Sequence, residues 1–246
     1  MALSERANAG LHPHVVNEVL AQAPDRQARI LDLGCGSGAL LGRLQAQGYT
    51  ELHGIDIAAP AQPAGGIRYA EADFDNASLP YETFAFDLVL CVEVVEHLEN
   101  LGAVLRELAR VLRPGGRLLL TTPNVHSMEA RLRLLLRGEL KQFDRIGDPT
   151  HVSPVFLHPF KLLLQRQGLR IERVWGFPLD GSSPTSRPVL RWAARVLGWL
   201  GFKGSPAGDQ LCLLLSHELP PEPSARELAA QPARPDKRQA VTAHYR

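Results

Sequence analysis

Hydrophobic positions along residues 29–137 switch repeatedly between two rhythms. Short runs, Ala28 to Leu33, Glu51 to Ile57, Ile67 to Phe74, Phe86 to Val92 and Arg117 to Thr122, have the length of strands, and Phe86 to Val92 is nearly continuous in apolar residues, as buried parallel strands tend to be. Between them lie segments with apolar residues three and four apart, Ala39 to Gln47 and Leu101 to Leu112, closed by Gly48 and by Arg113-Pro114-Gly115-Gly116. Strands alternating with helices predict an α/β fold, a doubly wound Rossmann-like parallel sheet whose ligand site lies at the carboxyl ends of its strands.

The flanks read differently. A polar lead-in, residues 1–27, carries one amphipathic helix, about His14 to Ala23, and its first residues lack the apolar centre of a signal peptide. After residue 137 the pattern predicts a loop-rich stretch, a helix from His158 to Gln167, a strand from Arg170 to Phe177, a helix from Val189 to Phe202 and a last strand from Gln210 to His217. From Leu219 the proline-rich, charged tail 219–246 predicts disorder. The catalytic domain is therefore expected to span 28–218, with inserted segments at about 124–160 and 178–208.

Charge adds mainly an exclusion. Lys and Arg number 27 against 26 for Asp and Glu, a net +1 that offers no electrostatic footprint for nucleic acid. Cys35, Cys91 and Cys212 lack paired or metal-type spacing, which predicts reduced thiols and a cytoplasmic protein. The Val189–Phe202 segment sets Trp192 and Trp199 beside Arg191 and Arg195, a pattern open to membrane-surface docking, core packing or a dimer contact.

Chemistry enters at Gly34-Cys35-Gly36-Ser37-Gly38, where the first strand hands over to a helix. Missing side chains there let a ligand approach the backbone, and the helix start adds free N–H groups. Asp56, about twenty residues on, is placed to accept hydrogen bonds from ribose hydroxyls. Gly34, Gly36 and Ala39 also satisfy G-x-G-x-x-A, so a nicotinamide-dependent oxidoreductase is one reading. Against it, Asp32 at the end of the first strand would repel a pyrophosphate but welcome an ammonium, and no Tyr-x-x-x-Lys pair is evident. A non-catalytic protein that uses the same fold to bind the nucleoside is another reading.

Leu31 to Leu40, Gly54 to Ile57, Ala72-Asp73-Phe74, Phe86 to His97 and Leu112 to Arg117 with Thr122-Pro123-Asn124 resemble, in that order, the motifs of class I S-adenosylmethionine-dependent methyltransferases. The resemblance implies a seven-stranded sheet whose antiparallel last strand is Gln210 to His217. It also implies that Gly34, Cys35, Gly36 and Gly38 hold the methionine portion, with Asp32 near its amino group. Asp56 and Ile57 would meet the ribose, Asp73 and Phe74 the adenine, and Cys91 and Glu93 would border the reacting end.

Cys91-Val92-Glu93-Val94-Val95-Glu96-His97 carries the remaining expectations. A helical turn starting at Glu93 would set Glu93, Glu96 and His97 at i, i+3 and i+4 on one face, a set suited to Mg²⁺, Mn²⁺ or Zn²⁺, with His151 completing it. This arrangement is similar to that of ubiquinone-pathway O-methyltransferases and of small-RNA 3′-end methyltransferases. The similarity to bacterial enzymes acting on small metabolites or surface glycans is equal in strength. Without a metal, His97 or His151 would serve as general base. The expected acceptor is a small molecule, glycan or lipid-like compound, O-methylated in the leading reading.

Overall fold

In the computed structural model, residues 8–145, 147–179, 192, 196, 199, 200 and 207–218 are described. In chain order they form α1 (Leu11–Gln22), β1 (Ile30–Leu33), α2 (Ala39–Ala46), β2 (Leu52–Asp56), β3 (Arg68–Glu71), β4 (Phe86–Val92), a 3-10 turn (Val95–His97), α3 (Leu101–Val111), β5 (Leu112–Pro123), α4 (Met128–Arg137), α5 (Leu157–Arg166), β6 (Leu169–Phe177) and β7 (Gln210–His217). The seven strands make one sheet in the order β3-β2-β1-β4-β5-β7-β6. Neighbours from β3 through β5 pair parallel, and β7 runs antiparallel to both β5 and β6. The expected Rossmann-like sheet with an antiparallel last strand is thus the one observed.

Period-two alternation divides the apolar strand residues between two faces. Ile30, Leu88, Leu90, Leu119 and Leu214 pack with Val15, Val19, Leu41 and Leu44 of α1 and α2. Leu31, Leu33, Val89, Leu118, Leu120 and Leu213 pack with Val104, Leu105, Leu108, Phe160 and Leu164 of α3 and α5. Every residue of β7 is buried, because that strand is paired on both edges and covered on both faces. α1 is docked against β6: the Trp175 indole N–H donates to His14 Nε2 at 2.9 Å, and His14 stacks on Phe177 with centroids 4.9 Å apart.

Several boundaries differ from expectation. β3 ends at Glu71, before the expected Phe74, since Asp73 already opens a turn whose carbonyl accepts the Asn76 and Ala77 amides. β5 begins at Leu112, so the Arg113–Gly116 bend lies within it; steady pairing to β4 runs only from Arg117, after a register irregularity between Phe86 and Leu88. Of the expected helix Val189–Phe202, positions 192, 196 and 199 are helical and the other positions except 200 lie outside the described residues. The expected tail, 219–246, also lies outside them. No helix among the described residues is long and apolar enough to cross a membrane.

Candidate active site

The register sets the stage: Leu33 lies opposite both Ile55 and Cys91, so β1, β2 and β4 end at one level. The glycine turn leaves β1 there. The Gly34 and Cys35 amides both donate to the Ile55 carbonyl, at 2.8 and 3.1 Å. Gly34 has φ +73°, and a Cβ on it would sit 2.5 Å from Val94 Cγ2, which makes glycine obligatory where this turn meets the segment after β4. Gly36 has φ +51°, yet nothing lies within 4 Å of the position its Cβ would take. Open space thus faces the backbone in the middle of the turn. Gly38 begins α2 as its N-cap.

Two carboxylates border this turn. Asp56, at the end of β2, accepts the Gly36 amide on Oδ2 and the Ile57 amide on Oδ1, both at 2.7 Å. Its oxygens are held toward the turn with lone pairs to spare. Asp32 is 3% exposed, and its carboxyl is pushed up to about 8 by burial, with the Asp56 charge as the second cause. A cation beside it would return it to the ionised form. Cys35 is also buried at the turn, its thiol pushed up to about 12 by burial and then by Asp32 and Asp56.

Other expected cofactor contacts divide. Ile57 is exposed beside Asp56. Asp73 is exposed in its turn, its Oδ2 accepting from Asn76 at 2.8 Å. Phe74 packs into the core and borders a cavity of about 540 Å³ between its own loop and α3. The Cys91 side chain is fully buried in the core cluster. The thiol offers nothing to the cleft.

Beyond β4 the chain departs from the expected helical face. Glu93 has φ +55°, outside the helical range, and only Val95–His97 form a turn. The Glu93 carboxylate is therefore drawn to β5 and β7: it accepts from Thr121 Oγ1 at 2.8 Å and from Gln210 Nε2 at 3.5 Å. Burial pushes its carboxyl up to about 7. The expected quartet becomes a trio. Glu96, His97 and His151 bring one ligand atom each within 4.8 Å of one another, and Glu93 stands outside that group.

The loop carrying His151 is docked on the 3-10 turn, with the Val152 and Ser153 amides donating to the Glu96 carbonyl at 2.8 and 2.9 Å. His97 and His151 meet edge to face with centroids 4.8 Å apart. Hydrogen bonds fix both tautomers. The Thr150 hydroxyl gives its proton to Asp148 at 2.6 Å, so its oxygen accepts from His97 Nδ1–H at 2.8 Å. His151 Nδ1–H donates to the Gln142 carbonyl at 2.8 Å. Each imidazole therefore presents Nε2 as a lone pair. Burial, then the neighbouring His151, holds the His97 pKa below its usual value. Glu96 is 0% exposed; neither carboxyl oxygen makes a well-formed hydrogen bond among the described residues, and its polar neighbours there are its own backbone and the Thr122 hydroxyl. Burial, with the Glu93 charge second, raises its carboxyl well above the usual range.

Sequence reasoning missed Thr121, Gln210, Asp148, Thr150 and Gln142, the residues that aim these side chains. Asp148 and Thr150 lay beside His151 in the chain and were the findable ones. Thr121 and Gln210 meet Glu93 only through strand order.

The wider resemblance is consistent with this geometry. A family model described as a methyltransferase domain matches residues 6–174. Ubiquinone biosynthesis O-methyltransferase of Xanthomonas oryzae pv. oryzae is 31% identical over 185 residues, covering 68% of this chain and 72% of that protein. The protein of the same name from Xylella fastidiosa is 29% identical over 185 residues, covering 68% and 70%. Two solved structures share the fold. An S-adenosylmethionine-dependent methyltransferase from Archaeoglobus fulgidus superposes with a TM-score of 0.57 at 21% identity, covering 83% of this chain and 94% of that one. The Burkholderia thailandensis 1,6-didemethyltoxoflavin-N1-methyltransferase superposes with a TM-score of 0.56 at 15% identity, covering 86% and 80%. The chain belongs to the methyltransferase family and is a class I S-adenosylmethionine-dependent methyltransferase.

Proposed function

We propose that this enzyme methylates a hydroxyl oxygen of a small acceptor seated between the glycine turn and the Glu96–His97–His151 trio. The observation that carries the reading is the cluster of Glu96, a fully buried carboxyl with no well-formed hydrogen bond among the described residues, with two imidazoles whose ligand atoms lie within 4.8 Å of it and of each other. Burial keeps this carboxyl protonated, and a cation beside it would favour the ionised, ligating form. Glu96, His97 and His151 would together hold a divalent ion such as Mg²⁺, Mn²⁺ or Zn²⁺. When bound, that ion supplies Lewis acidity toward an acceptor hydroxyl.

The cofactor cradle fits the same reading. Gly36 leaves open space at the turn, Asp56 keeps lone pairs for ribose hydroxyls, and Asp32 suits the cationic methionine portion. When bound, S-adenosylmethionine supplies an already activated methyl group, so the chain's own work is alignment and removal of one proton. His97 or His151 accepts that proton if no metal occupies the Nε2 lone pairs. The oxygen acceptor is supported by relatives named ubiquinone biosynthesis O-methyltransferase. Exposed Leu135 and Leu136 on α4, with exposed Trp192 and Trp199, support an acceptor with a lipid-like portion or a peripheral membrane contact. On this reading residues 28–218 form the catalytic domain, residues 1–27 a helical lead-in and residues 219–246 a tail. Segments 124–160 and 178–208 shape the acceptor pocket.

Methyl transfer from labelled cofactor to catechol-type acceptors, with and without chelator, tests the proposal. Activity lost on chelation and restored by Mn²⁺ or Zn²⁺ supports the metal site. Full activity in chelator assigns proton removal to the histidines alone. Labelling of amines but no hydroxyl compound overturns the oxygen acceptor.

A further inference from the structure

His151 is the one member of the trio that comes from a distant loop, so something must hold that loop. Its Nδ1–H reaches the Gln142 carbonyl, and Gln142 is itself unusual. It has φ +69°, a conformation that side-chain-bearing residues adopt only where surroundings enforce it. The enforcement is visible on both sides. Gln142 Nε2 donates to the Asp209 carbonyl at 3.1 Å. The preceding residue, Lys141, is 4% exposed, and its ammonium donates to Asp209 Oδ1 at 2.6 Å and lies 3.4 Å from Glu129 Oε2. On the far side, Gly147 packs so closely that a Cβ there would lie 2.6 Å from the Gln142 oxygen. Asp209 directly precedes Gln210, the first residue of β7, which reaches Glu93. The sheet and the loop are thus clamped at one point.

We infer that Lys141 and Gln142 are positioning residues: the Lys141–Asp209 ion pair fixes the Gln142 carbonyl, and that carbonyl fixes the ring of His151 opposite Glu96 and His97. A buried lysine between two carboxylates is a poor device for stability alone, because desolvating three charges offsets much of their attraction. As an alignment device it is effective, since removal of either partner leaves a buried charge and the arrangement tolerates a single geometry. The partner of a ligating imidazole's other nitrogen governs how well that imidazole binds a metal. The inference rests on the reading of His151 as a ligand.

Calorimetric titration of the full chain with Mn²⁺ and Zn²⁺, alongside S-adenosylhomocysteine as a control for the fold, tests it. Lys141→Met and Gln142→Ala are expected to weaken metal binding by about 10–100-fold while S-adenosylhomocysteine affinity stays within about twofold. His151→Ala is expected to lose the metal to at least the same degree. If both clamp variants bind metal like the parent while His151→Ala does not, the positioning role is overturned and the metal site stands. If His151→Ala also binds like the parent, the metal site itself is overturned. Should Lys141→Met fail to fold, Gln142→Ala at that half-buried position decides alone. A second readout needs no metal: in the parent, nitrogen chemical shifts are expected to report His151 protonated on Nδ1, and in Gln142→Ala, which loses the side-chain anchor that enforces positive φ, a mixture of tautomers. An unchanged single tautomer in that variant overturns the inference.

Discussion

The Gly36 amide donates to Asp56 Oδ2 at 2.7 Å, joining the middle of the glycine turn to the end of β2 across 20 positions of chain. The carboxylate therefore shapes the turn, and on the proposed reading it also receives the cofactor. Asp56→Ala is expected to weaken S-adenosylhomocysteine binding by about 1–3 kcal/mol, the worth of a lost charged acceptor. Calorimetry measures this. An unchanged affinity would remove Asp56 from the cofactor site.

Gly36→Ala separates backbone strain from ligand clearance. The methyl group meets no protein atom within 4 Å, so the fold is expected to lose only about 1 kcal/mol for placing alanine at positive φ. The same methyl group would enter the space reserved for the cofactor, and S-adenosylhomocysteine affinity is expected to fall tenfold or more. Thermal unfolding and calorimetry on one preparation give both numbers. A variant that binds normally would show that the ligand does not lie against the turn.

Asp32 makes the stability of the ligand-free enzyme depend on pH. Its carboxyl is raised to about 8 in the fold, by burial and then by Asp56, from an ordinary value of about 4. Between those limits the unfolded chain has released a proton that the folded chain retains, so Asp32 withdraws stability as pH rises from about 4 to about 8. Asp32→Asn removes that contribution. Urea unfolding at pH 5 and pH 8 is expected to show the variant gaining on the parent toward pH 8, while its cofactor affinity falls. A stability difference that stays constant across this range would refute the buried, protonated state.

The fold was legible in the sequence because its signals are local and repeated. Apolar runs alternate with helical spacing along the chain, the first run ends in the glycine turn, and β4 was placed to the residue by its run from Phe86 to Val92. The glycine turn and the aspartate beside it were legible for the same reason, as Gly34 to Gly38 and Asp56 lie at the ends of adjacent strands. The acceptor side was less legible. A helical face was expected from Glu93 to His97, but positive φ at Glu93 breaks it, and that φ is sustained by Thr121 and Gln210 from two other strands. Spacing along a chain carries no information about such partners. β3 was overextended to Phe74 because an apolar residue that closes a turn over the core looks, in sequence, like one that continues a strand.

Glu96 offers the sharpest separation of function from stability. Its side chain is fully buried and its two oxygens make no well-formed hydrogen bond among the described residues, so the ligand-free fold carries the cost of a poorly satisfied polar group. Glu96→Met keeps the length of the side chain and removes the carboxylate. Replacing an unsatisfied buried group by an apolar one of similar shape is neutral or stabilising, by up to about 1–3 kcal/mol. The ligand-free variant is therefore expected to unfold at the same temperature as the parent or higher, while metal affinity and methyl transfer fall tenfold or more. A purely structural Glu96 predicts the reverse, a destabilised protein with activity falling only as folded protein is lost. Thermal unfolding in chelator beside methyl transfer per folded molecule distinguishes the two outcomes, because the first keeps the fold and loses the chemistry.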